Sequence, residues 1–433
     1  MAPDPMAARR TRAHWSEERA ENELRSLELF GMRFGLERMR RLMTALGSPQ
    51  RSYHTIQVLG TNGKTSTTRM IAAILSEHGL DSGAYLSPHL VSYRERILVR
   101  GEEIDGRAFA DAVARASHAA HAVDRTLAED DHITQFELLT AAALAHFAQA
   151  GVEVAVVEAG LGGRYDATSV VDAPIRVLTN VGLEHTRWLG PTVRDIAREK
   201  LAVLAPGTTL IVGADLDADA RAVADELASE RGATVSVAAA GQRLRLAAAG
   251  AFQQRNFALA QAAATAQLAA LGVAVDADAL ARAGASTLVP GRAQMLDAEP
   301  PTLLDGAHNP AAVDALAESL PELLGDRPLA LVLGVLDDKD AAGMLAALLP
   351  LSERAYFTAP ASPRALPPAT LLSLAAQQGY QAGRCEPRPE LALAQAQQWA
   401  RENAGAVLVT GSVYLVGAIL AARANTAPEE ARA

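Results

Sequence analysis

The sequence predicts an α/β protein in two domains. The larger N-terminal one is built on a parallel sheet with helices over both faces, and the smaller C-terminal one is again α/β. Three observations carry this. Continuous apolar strand-like runs, rather than alternating ones, are separated by helix-like stretches. A length of 433 residues is too great for one ordinary core. Pro290 and Gly291 break a helical stretch between two such alternating series. The hinge is therefore expected at 290–293, with domains at 1–293 and 294–433.

Taken in order, the run ELRSLELFGMRFGLERMRRLMTAL (23–46) is helix-like and is expected to pack on the first domain. The rest of the first fifty residues and the tail ANTAPEEARA are polar flanks. HTIQVL (54–59) is a short apolar strand, GTNGKTS turns the chain into a helix ending near Gly79, and SGAYLS (82–87) is the next strand. TQFELLTAAALAHFAQAG (134–151) is a helix closed by a glycine, and VEVAVVEAG (152–160) is a fully apolar strand. IRVLTNVG (175–182) is another strand, followed by the helix VRDIAREKLAVLA (193–205). The second series places strands at 302–307, 329–334, 355–359 and 406–411, with helices between them. No internal repeat is visible.

Composition narrows the function. Forty basic against fifty acidic side chains give a net charge of −10. That argues against nucleic-acid or anionic-membrane partners, but leaves room for a local cationic pocket. The single cysteine, Cys385, excludes an intrachain disulfide and a thiolate metal cluster. No apolar segment follows the N-terminal arginines, and no window of about twenty apolar residues could span a bilayer. The expectation is a soluble cytoplasmic protein.

The chemistry begins at Gly60, Thr61, Asn62, Gly63, Lys64, Thr65 and Ser66. A glycine-rich turn between strand and helix presents successive backbone N–H groups, and the helix dipole adds positive potential. Lys64 can reach outer phosphates, and Thr65 or Ser66 can ligate Mg²⁺. The common phosphate loop has a glycine five positions before Gly63, where this chain has Val58, so the loop is a shorter kind. The bland alternative is a tight strand-to-helix turn.

Three strand ends add candidates. SPHLVSYRERI (87–97) offers Ser87 and His89 as metal or hydrogen-bond ligands, with Arg94 and Arg96 as forked donors for carboxylate or phosphate. Glu158 ends an apolar strand, where an unpaired carboxylate is costly and a divalent metal is an economical partner. His185 follows another strand end beside Glu184 and can complete a Mg²⁺ or Mn²⁺ shell with Ser87 and Glu158. Alone, it would be an ordinary hydrogen-bonded histidine. Lys200, inside a helix, reads by pattern as a surface lysine.

Together these stretches resemble the folylpolyglutamate synthase/dihydrofolate synthase family of the Mur ligase superfamily. The similar segments are GTNGKTS, SPHLVSYRERI, TQFELLT, EAGLGGRYDAT, GLEHTRWLG with REK, PGR (290–292), LLDGAHNP (303–310), DDKD (337–340) and GSVYLVG (411–417). They run in order from about residue 30 to residue 418. Four positions depart from the family pattern: Thr65 for glycine, Tyr165 for leucine, Ser169 for asparagine and Glu184 for aspartate.

The resemblance implies a Mur-ligase-like α/β fold, with an N-terminal P-loop ATPase-type parallel-sheet domain and a smaller, Rossmann-like C-terminal glutamate-ligase domain. It implies that Lys64 with Thr65 and Ser66 holds ATP phosphate and Mg²⁺, and that Ser87, Glu158 and His185 bind metal. Two Mg²⁺ ions are implied, with Mn²⁺ or K⁺ as further candidates. Lys200 matches a lysine that becomes carbamylated and helps bind metal. Asn256 and Arg292 would contact nucleotide, and Asp305 and His308 would bring the C-terminal domain onto ATP and the incoming glutamate, with Ser412 nearby. Arg96 would bind ligand carboxylate or phosphate. The implied activity is ATP-dependent addition of L-glutamate to a folate, to dihydropteroate or to both through an acyl phosphate, by a monomer. A Mur-type ligase acting on a different carboxylate is the alternative; a kinase-like NTPase and an inactive homologue are further rivals.

Overall fold

The computed structural model describes residues 14–27, 35–129, 131–239 and 244–426. Its first sheet contains β1 (His54–Leu59), β2 (Ser82–Tyr85), β3 (Ile97–Val99), β4 (Glu102–Glu103), β5 (Val154–Glu158), β6 (Ile175–Leu178), β7 (Thr209–Val212) and β8 (Thr234–Val237). Their spatial order is β4-β3-β2-β5-β1-β6-β7-β8. Six of them run parallel, while β3 lies antiparallel to β2 and β4 to β3. The expected parallel sheet thus gains an antiparallel edge. The link from β3 to β4 is too short for a crossover helix, and Gly101 turns it with a φ of 82°.

Helices cover both faces because β5 is buried at every position and apolar up to its last residue, Glu158. Ala155 and Val157 face a cluster holding Phe109 and Val113 of the helix Gly106–Asp124 and Leu138 of the helix Gln135–Gln149. Val154 and Val156 face the opposite cluster, with Ile71 and Leu75 of the helix Lys64–Glu77 and Ala260 and Ala263 of the helix Ala251–Ala270. The two-residue strand period therefore feeds two cores. Fully burying each Val or Leu contributes roughly 1.5–3 kcal/mol, so this central strand is firmly seated.

The second sheet comprises β9 (Gln294–Ala298), β10 (Pro301–Leu304), β11 (Leu329–Leu333), β12 (Arg354–Phe357), β13 (Gly383–Cys385) and β14 (Ala406–Thr410). Their order is β13-β12-β11-β14-β10-β9, parallel except for β9. The strands β3, β4, β7, β8, β9 and β13 lie outside the runs recognised in the sequence. Several recognised strands are also shorter than expected. Leu86, Ala159 and Thr179 are buried like strand residues but leave their ladders to start loops.

The helix-like run 23–46 becomes parts of two helices, Glu17–Ser26 and Glu37–Ala45, while 28–34 lies outside the described residues. Leu24, Met39, Leu42 and Met43 join the first-domain core. The expected helix 193–205 ends at Leu201. The helix Val413–Thr426 takes in the start of the tail, and 427–433 lies outside the described residues. Between the sheets, Leu90 packs against a second-domain cluster containing Leu304 and Val416. No helix among the described residues is long and apolar enough to cross a membrane.

Candidate active site

Strand register brings the site together. Val58 pairs with Glu158 and Leu59 with Leu178, so the loops after β1, β5 and β6 leave the same edge of the sheet side by side. Ser87 follows β2, the next strand across. These are carboxyl ends of parallel strands, where an α/β sheet opens its crevice.

Gly60 and Gly63 form the loop by steric necessity. Gly60 has a φ of 146°, and a Cβ there would overlap Thr179 Oγ1; Gly63 has a φ of 80° and lies against Asn256 Oδ1. Asn180 accepts from Thr61 N at 3.0 Å through its carbonyl and from Asn62 N at 2.9 Å through its side chain. Lys64 begins the helix, and its Nζ donates to the carbonyls of Gly60 at 3.2 Å and Thr61 at 3.0 Å. Ser66 is buried on the same cavity wall.

Glu158 is 1% exposed. Its carboxylate accepts from Thr65 Oγ1 at 3.0 Å and from Ser87 N at 3.1 Å. Burial pushes its carboxyl up to about 7 against the pull of Lys64. Thr65, a departure from the family pattern, therefore gives Glu158 a hydroxyl partner. His185 sits at a φ of 51°, with Nε2 turned to Glu184 Oε1 at 3.7 Å. Burial lowers its imidazole to about 4, leaving a neutral ring. Among the described residues no cluster of three or more His, Cys, Asp or Glu is poised around a cation.

Lys200 corrects the surface-lysine reading: it is 4% exposed. Its Nζ donates to the Gly60 carbonyl at 2.7 Å, and burial, with Lys64 nearby, lowers the amine to about 7. The short helix Val193–Leu201 turns Ile196, Ala197 and Leu201 to the core, and Lys200 falls on the same face. The helical period carried that signal, but the charge masked it.

The second domain supplies the opposite wall. Asp305 accepts from Ala293 N at 2.8 Å and Ala307 N at 2.7 Å, and burial raises its carboxyl although Arg292 opposes the rise. His308 Nδ1 lies 2.8 Å from the Gly306 carbonyl, and its Nε2 lies 3.1 Å from Glu184 Oε1. Arg292 donates to the Gly291 carbonyl at 3.2 Å, Asn256 to Gln253 at 2.9 Å, and Ser412 accepts from Tyr414 N at 3.1 Å. Arg96 Nε donates to His89 Nδ1 at 2.9 Å.

Except for Gly60 and Arg94, every candidate residue lines one cavity of about 750 Å³ between the two sheets; Arg94 instead donates to the Ile104 carbonyl at 2.7 Å. Tyr165 and Trp188, 44% and 40% exposed, line it too. Ser169 lies under the loop, donating to the Gly163 carbonyl at 2.6 Å and accepting from Gln57 at 3.1 Å.

Some participants were not legible as such. Glu184 stands out only as the strand-end neighbour of His185 and as a departure from the family pattern, and Lys339 only as part of DDKD. Yet Lys339 Nζ donates to Glu184 Oε1 across the domains at 3.1 Å. Asn62 and Asn309 exchange side-chain amide hydrogen bonds of 3.2 and 2.9 Å, also across the domains. No local pattern signals a contact between residues this far apart in the chain.

A phosphate-type loop facing a second α/β domain across a shared cleft defines a Mur-type ligase. Residues 58–257 match the Mur ligase middle domain, and residues 291–413 match the Mur ligase glutamate ligase domain. The chain belongs to the folylpolyglutamate synthase/dihydrofolate synthase family of these ligases. It is 36% identical over 367 residues to the dihydrofolate synthase/folylpolyglutamate synthase of Mycobacterium tuberculosis, covering 76% of this chain and 75% of that one. It is 40% identical over 354 residues to a probable bifunctional folylpolyglutamate synthase/dihydropteroate synthase of Haloferax volcanii, covering 76% of this chain. The match spans only 41% of the Haloferax protein, less than half its length. A crystal structure of Mycobacterium tuberculosis folylpolyglutamate synthase complexed with ADP and AMPPCP superposes with a TM-score of 0.87 at 32% identity, covering 95% of this chain and 99% of that one.

Proposed function

We propose that the protein is an ATP-dependent ligase that joins L-glutamate to a folate, to dihydropteroate or to both. The observation that carries this reading is the single cavity in which Lys64, Glu158 and Lys200 of one domain face Asp305 and His308 of the other. Residues 1–293 would bind ATP and residues 294–433 would bring glutamate. The working form is taken as a cytoplasmic monomer acting on small molecules, without nucleic acid or membrane.

The acceptor carboxylate oxygen attacks the γ-phosphorus of ATP, and ADP leaves. The glutamate amine then attacks the acyl carbon, giving a tetrahedral intermediate that expels phosphate while the amine proton passes to a base. Both first reactants are anions, so Lys64 and Arg292 would neutralise charge as they approach. Asn256 and Arg292 would fix the nucleotide, Arg96 the acceptor's carboxylate, and His308 with Ser412 the incoming glutamate.

The donor set suits hard divalent cations. Glu158 is a buried carboxylate beside the Thr65 hydroxyl, His185 is neutral, and Ser66 and Ser87 lie on the same wall. These residues would hold one or two Mg²⁺ ions, or Mn²⁺ or K⁺, which would supply Lewis acidity for the phosphates when bound. Lys200, with its lowered pKa, suits carbamylation.

The direct test measures ATP-dependent phosphate release and glutamate incorporation with dihydropteroate or a reduced folate monoglutamate. Incorporation into one acceptor or both is expected. Activity with neither would overturn the folate assignment and favour a different carboxylate.

A further inference from the structure

Glu184 stands at a junction that the candidate site does not explain. It follows β6 in the first domain, and its side chain is only 10% exposed. One carboxylate oxygen, Oε1, meets two groups of the second domain: His308 Nε2 at 3.1 Å and Lys339 Nζ at 3.1 Å. On its own side His185 Nε2 lies 3.7 Å away. Lys339 continues to Asp338 at 3.6 Å, and Asp338 to Arg364 at 3.4 Å. A buried carboxylate is costly unless compensated, and here much of the compensation comes from the other domain. Separating the domains would leave Glu184 without either of those partners.

We propose that Glu184 is a positioning residue that clamps the second domain onto the first through His308 and Lys339, so that the acyl phosphate is made only when glutamate can reach it and water cannot. This rests on the ligase reading above. His308 is held from both sides, since its Nδ1 faces the Gly306 carbonyl while Nε2 faces Glu184. The clamp thus fixes the ring that approaches the glutamate, and Glu184 itself need touch no substrate. The chain's departure from aspartate serves this reach. A side chain one methylene shorter would draw the carboxylate back by about 1.5 Å, beyond hydrogen-bond distance of a fixed donor.

A loosened clamp admits water. Water then cleaves the acyl phosphate, returning the acceptor carboxylate and free phosphate with no amide formed. Glu184→Gln keeps the shape and removes the charge; Lys339→Met removes the partner from the other domain. Each is expected to lower kcat/KM for glutamate about ten- to hundredfold and to raise phosphate released per glutamate incorporated above one. The double variant should be no worse than the poorer single one. In the ligand-free full-length protein, backbone amides at 306–309 and 337–339 should exchange hydrogen faster in both variants than in the wild type.

Unchanged stoichiometry in both variants, or fully additive losses, would overturn the clamp. Because amide exchange needs no substrate, the two readings separate. Faster exchange in a protein that ligates no folate acceptor sinks the substrate assignment alone. Normal exchange and coupling in variants of an active ligase sink the clamp alone.

Discussion

Lys64 and Lys200 point their amines at one atom, the carbonyl oxygen of Gly60, at 3.2 and 2.7 Å. Two cations this close disfavour each other's charge. Burial first and Lys64 second lower Lys200 to about 7, while an ordinary lysine stays charged near 10.5. A substantial fraction of Lys200 is therefore neutral near pH 7 and can add CO₂, releasing one proton. Wild-type activity should fall in CO₂-depleted buffer and return with bicarbonate, with recovery growing as pH rises through about 7. Lys200→Met should lose roughly ten- to hundredfold in activity and ignore bicarbonate. Turnover indifferent to CO₂ in the wild type would remove carbamylation from the mechanism.

Glu158 sets function against stability. Burial raises its folded pKa to about 7, above the ordinary 4.5. The folded state therefore binds more protons between those values, and stability falls as pH rises from 4.5 to 7. Glu158→Gln removes that penalty. The ligand-free variant should be more stable than the wild type above pH 7, by about 1–3 kcal/mol, with the difference vanishing below pH 4.5. Its turnover should drop about a hundredfold or more. Melting curves and kinetics across pH test both halves, and a variant turning over normally would exclude Glu158 from the metal-phosphate site.

His89 has the opposite pH signature. Burial and then Arg96, which donates to its Nδ1, lower the imidazole to about 3 from 6.5. The unfolded chain binds the extra proton between those values, so this residue's contribution to stability is lost as pH falls from 6.5 towards 3. The slope is at most about 1.4 kcal/mol per pH unit. Replacing His89 with Gln, which can still accept from Arg96, should flatten the thermal-stability profile over that window. An unaltered profile would show that His89 titrates normally.

Lys200 and Glu184 mark where sequence reasoning stops. The apolar runs locate β1, β5 and β6, and the candidate motifs fall at their carboxyl ends because parallel strands place loops there. A charged side chain, however, carries no sign of whether the fold has room to bury it. Lys200 shares the core-facing side of its helix with Ile196 and Ala197, yet pattern assigns it to solvent. The contact of Glu184 with Lys339 spans 155 positions and depends on how two domains meet. Strands such as β8 were missed for a different reason: Thr234–Val237 is mostly exposed and lacks the apolar continuity of a central strand.

Gly417 closes the domain junction from the other side. A Cβ there would overlap the carbonyl oxygen of Leu90, whose side chain also lies against Gly291. Glu95 fixes that loop by accepting from the backbone N–H groups of Leu90, Val91 and Ser92 at 2.8, 2.7 and 2.6 Å. The loop therefore cannot yield locally, and the same segment carries Ser87, His89 and Arg96. Alanine at 417 gains about 1 kcal/mol of helix propensity, but overpacking against a fixed backbone costs about 1–3 kcal/mol. Gly417→Ala should therefore be neutral to destabilising in thermal melts. If Arg96 binds the acceptor and the Gly60–Ser66 loop binds ATP, as proposed, the displaced loop should raise KM for the acceptor severalfold while KM for ATP changes little. Leu90→Ala, which removes the knob without adding bulk, should raise the acceptor KM in the same way. A more stable Gly417→Ala variant with an unchanged acceptor KM would show that this junction does not position the acceptor loop.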